Sequence, residues 1–424
     1  MPSPILRRRV ATAFGVYGSA LLGFLATIIA ARELSKEDFA RFALAFGTTT
    51  LLQLFVDLTV DEVVVKYGNR YAARENWGRF HRLFRVGMLV KLAGGAAGTI
   101  AVVVAALLAP LLWQTGGVRG PLLIASLIPL VQQPEGMAGA VLTLRNRYDL
   151  RGYALLWAMA LRLAAVWIAA PHGLVPLFVG LVVAQVVSTA SVSYVALLAY
   201  RRFPRRKPEP LAEDRGPIRA FAIQSTIASG LTSVRTYLPV VLLGTVARGS
   251  QVANFRAAQA PQTAFLSLSA PARLVLLAEQ TRDVERGRSD RAYALLRRYI
   301  GAATVISCIV TPPLWIFMPT LVRVVFHAKY VPAANAFRVM LLVAVIQLVF
   351  GWTKSFPVSI GRPGMRSAGQ ALEIAALVPG VLALGALYGA TGAAGGVLVG
   401  SVVLAAFWTL GLLRLPRPQA ATAG

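Results

Sequence analysis

Five ionisable side chains stand inside stretches that are otherwise apolar: Asp57, Lys91, Glu135, Arg162 and Arg235. A charge in hydrocarbon is costly, so each must meet an opposite charge, water or a ligand. Glu135 and Arg162 flank the turn RNRYDLRG at matched distances. At about 1.5 Å of rise per residue, that places them at similar depth on consecutive helices. Two readings stay open: a salt bridge that locks the hairpin, or charges lining a polar cavity. Asp57 and Lys91 make a comparable pair nearer an interface, where snorkelling of the long lysine is the simpler reading. Arg235 stands in a stretch with no acid of its own. It is the first candidate to face an anionic substrate, followed by Arg162 and Lys91. Asp57 and Glu135 are the acids that would couple an ion, H+ or Na+, or serve structure.

Other chemistry is scarce. His81, His172 and His327 are far apart and show no metal-ligand spacing, and the single Cys308 excludes an internal disulfide. No phosphate-binding glycine loop appears. Convergent groups of the kind an active site needs are missing, so the sequence does not read as an enzyme, and no cofactor is implied. The net charge of +26 raises nucleic acid as a partner. Composition argues otherwise. The 424 residues are 57% hydrophobic and 14% charged, against about 25% charged in soluble chains. The solvent to expect is lipid, with anionic lipids rather than nucleic acid meeting the basic surface.

Twelve apolar segments are long enough to span: Ala11–Ala31, Phe42–Val60, Val86–Trp113, Pro121–Leu144, Tyr153–Ala170 and Leu174–Tyr200, then Phe221–Val246, Val252–Ala278, Ile300–Val322, Phe337–Trp352, Ala368–Tyr388 and Gly392–Leu413. The first is too long for a signal peptide and reads as a retained span. Most of the 43 Lys and Arg fall in alternate loops, which makes those loops, and both termini, cytoplasmic.

The shift that carries Asp38–Ala45 (DFARFALA) onto Gln251–Ala258 (QVANFRAA) also carries the first six segments onto the last six. That pattern is a duplication. It predicts an all-α polytopic membrane protein of two six-helix lobes, residues 1–200 and 220–424, related by a pseudo-two-fold axis along the membrane normal. The polar stretch 201–219, rich in Arg and Pro, reads as a cytoplasmic linker. In the junction RELSKEDFARFALA, Ser35 is expected to cap a helix whose first turn holds acids. Phe39 and Phe42 would anchor that helix at the interface.

That junction, read as ARELSKEDFARFALA, resembles the R-x-L-x-x-x-x-F-[GA]-x-[FY] link between the first two spans of polysaccharide flippases, the O-antigen and exopolysaccharide transporters of the multidrug/oligosaccharidyl-lipid/polysaccharide superfamily. LLQLFVDLTVDEVVVKYGNRYAA is similar to the family's second helix, and LLGTVARGSQVANFRAAQA to the matching junction of the second lobe. The family often places an acid in the seventh helix shortly before LLG; here SVRTYLPVVLLG carries Arg235 and Pro239 instead. The resemblance implies alternating-access transport of an undecaprenyl-diphosphate-linked glycan across a bacterial cytoplasmic membrane, with a polymerase or glycosyltransferases as partners. The alternative is a cation-coupled multidrug exporter of the same superfamily. Such an exporter would favour an acidic or aromatic cavity, whereas the deep charges here lean basic.

Overall fold

The computed structural model describes residues 4–414, apart from 57–58, 266–278, 281–282, 284–287, 355 and 360–362. The described residues are helices joined by short turns, with no strand among them. The chain divides into two compact units, Met1–Val241 and Leu242–Gly424.

The first unit contains α1 (Pro4–Glu33), α2 (Lys36–Val56), α3 (Val60–Ala73), α4 (Trp77–Leu112), α5 (Arg119–Ala125), α6 (Leu127–Leu144), α7 (Tyr148–Ala169) and α8 (Leu174–Tyr200). Most of α9 (Arg215–Val246) belongs to it as well, because the division falls inside that helix. The second unit contains α10 (Gly249–Ala258), α11 (Ser289–Ile316), α12 (Met318–Phe326), α13 (Ala334–Val349), α14 (Phe356–Ser359) and α15 (Pro363–Arg414).

Seven described helices are long and apolar enough to cross a membrane. The last, Gly364–Gly411, is two arms joined at Gly389, whose φ of 58° interrupts the helix. Only a residue without Cβ adopts that geometry cheaply, and Gln251 Oε1 accepts the freed N–H of Ala390 at 3.0 Å. Leu111, Trp167, Ile309 and Leu387 are more than 60% exposed, which suits lipid and not water. The chain is an all-α, multi-pass membrane protein. The expected spans at α2, α6 and α9 carry Thr49, Gln53, Gln132, Glu135 and Arg235 within their apolar sequence.

The junction between α1 and α2 follows from local chemistry. Ser35 Oγ accepts from the Asp38 N–H at 3.1 Å and caps α2, while Arg41 pairs with Asp38 at 2.8 Å. Phe39 and Phe42 do not anchor the helix at an interface. They are buried, at 0% and 5% exposed, and Phe42 packs on Phe178 with ring centroids 5.7 Å apart. The shift that takes Asp38 to Gln251 also takes the end of α1 at Glu33 to the end of α9 at Val246, and the start of α2 at Lys36 to the start of α10 at Gly249.

Glycine contacts draw helices together, as expected where lipid offers no hydrophobic drive for association. A Cβ at Gly15 of α1 would collide with the backbone of Gly152 in α7, and one at Gly18 would meet Leu156. In the second unit a Cβ at Gly396 would collide with the backbone of Gly380 and Val381, across the two arms of α15. That unit also encloses Trp352 and Trp408, edge to face at 5.4 Å, and a Gln262–Gln347 amide bond of 3.0 Å.

Residues 201–219 are fastened to the first unit. Phe203 and Leu211 are buried in a cluster with Phe80, Leu83 and Val141. The Glu209 N–H donates to the Gly78 carbonyl at 3.1 Å. The Tyr71 hydroxyl donates to Asp214 Oδ2 at 2.7 Å, and Arg70 and Arg79 lie 3.6 and 3.5 Å from the same carboxylate. Burial, and then the bond to Asp214, push the Tyr71 phenol above its ordinary range.

Candidate functional site

Within the first unit, α1, α2, α6, α7, α8 and the end of α9 in this unit enclose a polar cavity of about 360 Å3. Its walls follow helical periodicity. On α7 the lining residues are Leu155, Ala158, Met159 and Arg162; on α8 they are Leu181, Ala184, Gln185 and Ser188. Each set repeats every three or four positions, which places it on one face of its helix. From α2 come Phe46, Thr49, Thr50 and Gln53; from α6, Gln132 and Glu135; from α9, Tyr237.

Glu135 sits between Pro134 and Gly136 in α6. Proline removes one main-chain donor from the helix and loosens it there. The carboxylate takes its bonds from the next helix. Oε1 accepts from Gln185 Nε2 at 3.0 Å, Ser188 Oγ at 2.7 Å and Thr189 Oγ1 at 3.1 Å. These donors occupy one face of α8, spaced as i, i+3 and i+4. Across the cavity the Arg162 guanidinium lies over the Phe46 ring, 4.1 Å from its centroid. The amides of Gln53 and Gln132 bond to each other at 3.2 Å.

The structure therefore brings Glu135 and Arg162 to one cavity but does not pair them. Glu135 bonds to α8 and Arg162 lies over Phe46 of α2, so of the two open readings the salt bridge between them is not formed. Lys91 is 4% exposed, so it does not snorkel; its ammonium lies 3.2 Å from Asp61 Oδ1, and Gly136 leaves room for it. The described partner is thus Asp61, four residues after Asp57, which lies outside the described residues. Lys91 does not line this cavity. Arg235 is buried, at 7% exposed. It precedes the lining residue Tyr237 by two positions, about 200° around a helix, and it too is absent from this cavity's lining.

The sequence alone did not single out Gln185, Ser188, Thr189, Phe46 or Tyr237. The spacing of Gln185, Ser188 and Thr189 is the signal that would have found the acid's partners. Among the described residues no cluster of His, Cys, Asp and Glu could hold a metal ion. The arrangement offers hydrogen-bond donors and acceptors, one acid, one base and an aromatic face; it is suited to binding a polar ligand.

No curated protein sequence matches this chain. Solved structures share its fold over nearly their full length. An inward-facing multidrug-resistance MATE-family transporter of the MOP superfamily superposes with a TM-score of 0.78 at 15% identity, covering 95% of this chain and 96% of the other. The lipid II flippase MurJ, in an inward closed conformation, gives 0.74 at 12% identity, covering 97% and 88%. A MOP-superfamily transporter from Pyrococcus furiosus, described as having a binding pocket of reverse polarity, gives 0.65 at 14% identity, covering 98% and 96%. The sequence itself matches a family model, described as polysaccharide biosynthesis protein, over residues 5–277. By that match, which spans more than half of its length, the chain belongs to the polysaccharide biosynthesis protein family.

Proposed function

We propose that this protein moves a lipid-linked glycan, carried on a polyprenyl diphosphate such as undecaprenyl diphosphate, across a bacterial cytoplasmic membrane by alternating access, without making or breaking covalent bonds. The observation that carries the reading is the composition of the first unit's cavity. Gln53, Gln132, Gln185, Thr49, Thr50 and Tyr237 offer amides and hydroxyls, the groups that bind sugar hydroxyls. Arg162 supplies the cation for an acidic sugar or a phosphate. Family membership and the fold shared with a lipid II flippase support the same reading. In this proposal Glu135 is the coupling acid and Arg162 the substrate-facing cation, the basic loops face the cytoplasm with both termini, and Lys91 and Asp61 hold the fold. Arg235 and Asp57 stay secondary candidates.

The shared fold with multidrug transporters keeps organic-cation export as the competing function. The basic lean inferred from the sequence does not separate the two, because this cavity holds one acid and one base. What favours the glycan is that amides and hydroxyls outnumber charges in the lining, with Arg162 as the one cation beside Glu135 as the one acid. Deletion of the gene tests the choice. The glycan reading expects loss of surface glycan and accumulation of the lipid-linked precursor. Intact glycan with new sensitivity to cationic drugs would replace it with the exporter.

A further inference from the structure

A second cavity opens on the first unit, toward the end that carries residues 201–211. It holds about 730 Å3 and is bounded by α4, α6 and α8. Its walls are apolar, with Phe84, Met88, Leu89, Met137, Val141 and Leu197 among them. Leu89 is 61% and Leu197 45% exposed, so the cavity lies on the outer surface that hydrocarbon covers. It shares α6 and α8 with the polar cavity but uses other residues, which on α8 begin more than a turn nearer the basic end.

The basic end of this groove is built. Arg85 of α4 and Arg205 and Arg206 of the linker line it, and no carboxylate does among the described lining residues. The linker is held in place across it. His81 Nε2 lies 2.8 Å from the Pro204 carbonyl and Nδ1 lies 2.6 Å from the Tyr200 hydroxyl. A carbonyl only accepts, so Nε2 carries a proton. Arg145 lies over the ring of the buried Phe203, 5.0 Å from its centroid. Together with the Glu209–Gly78 hydrogen bond, these contacts bracket Arg205 and Arg206, which line the groove with Arg85.

We propose that this groove binds an anionic phospholipid of the adjoining leaflet, its acyl chain along the apolar wall and its phosphate on Arg85, Arg205 and Arg206. Three guanidiniums at the mouth of a hydrocarbon-lined groove complement an amphiphile with a negative head. The hydrocarbon adds affinity with each methylene it buries. A glycan-bearing lipid fits less well. The wall lacks the amides that line the polar cavity, and the His81 ring is already engaged by Tyr200 and Pro204. The bound lipid would join the linker to α4, so the linker's attachment to the first unit depends on leaflet composition.

The test uses the full chain purified in detergent, with phosphatidylglycerol or phosphatidylethanolamine added. Native mass spectrometry reads retention, and thermal unfolding reads stabilisation. The expected result is at least tenfold greater retention of phosphatidylglycerol, with a rise in Tm that phosphatidylethanolamine does not give. R85Q/R205Q/R206Q, all at exposed positions, should unfold at the wild-type temperature without lipid and lose both effects. Equal retention of the two lipids, or unchanged phosphatidylglycerol retention by the variant, overturns the proposal. So does displacement of the lipid by millimolar inorganic phosphate, which would show that the groove does not hold the chain. Retention of a polyprenyl phosphate in place of phosphatidylglycerol would make this a carrier-lipid site and overturn it too.

Discussion

The Ser188 hydroxyl donates to Glu135 Oε1 across 2.7 Å, tying α8 to α6 at the wall of the polar cavity. Gln185 and Thr189 bind the same oxygen. Those donors are neutral side chains of one helix, so an ion or ligand entering the cavity meets this acid without first displacing an ion pair.

The Glu135→Gln variant keeps the shape and one carbonyl oxygen as acceptor for α8. It is therefore expected to fold, with a Tm within a few degrees of wild type, and to lose gradient-driven transport at least tenfold. Ser188→Ala removes one hydrogen bond to a charged group, worth about 1.5–3 kcal/mol, and should lower stability more than Glu135→Gln does. Transport by Glu135→Gln that still follows an imposed H+ or Na+ gradient would assign this acid to structure alone.

Arg162 is expected to bind substrate through a planar guanidinium seated on Phe46. A lysine cannot reproduce that geometry, and the stacking itself contributes on the order of 0.5–2 kcal/mol. Arg162→Lys should weaken glycan binding several-fold and Arg162→Ala at least tenfold, measured as substrate-induced change in Tm or by calorimetry. Unchanged affinity in Arg162→Ala would remove the residue from the binding site.

Lys91 and Asp61 form an ion pair whose lysine is buried and whose acid is 29% exposed. Removing one partner of a buried pair costs about 3–5 kcal/mol, and the partly wetted acid puts this pair near the lower end. Lys91→Met alone should lower the Tm sharply. Lys91→Met combined with Asp61→Asn should recover most of the loss, and transport per folded molecule should then be close to wild type. Lost transport in a stable double variant would return Lys91 to the substrate path.

Gly15 and Gly152 let α1 and α7 approach at backbone distance. Gly15→Val forces that contact apart, at an overpacking cost of about 1–3 kcal/mol or more. Folded yield in the membrane should fall, as read by size-exclusion profile and Tm. The variant Gly173→Ala should also be destabilised, but by backbone strain rather than by a collision, since Gly173 has a φ of 103° with open space around it.

What the sequence revealed was depth and local chemistry. The Ser35 cap, the helical segments, the repeated junction at Lys36 and Gly249, and the common depth of Glu135 and Arg162 all follow from composition and spacing over a few residues. What stayed hidden was azimuth, the direction in which a side chain leaves its helix. An α-helix turns about 100° per residue, so an error of one or two positions exchanges cavity for core. This is why Tyr237 lines the cavity where Arg235 does not. The same uncertainty put Phe39 and Phe42 at an interface although they point inward. Only the packing of their helices shows that Gln53, Gln132 and Gln185 share one cavity.

The most direct test of glycan transport is a translocation assay with the purified protein in vesicles, using a polyprenyl-diphosphate oligosaccharide whose sugar is accessible to a membrane-impermeant lectin or glycosidase only in the outer leaflet. Protein-containing vesicles should expose inner-leaflet substrate many times faster than empty ones, and Arg162→Ala should abolish the difference while folding normally. No acceleration by a folded wild-type protein, together with uptake or release of an organic cation by the same vesicles, would contradict the account.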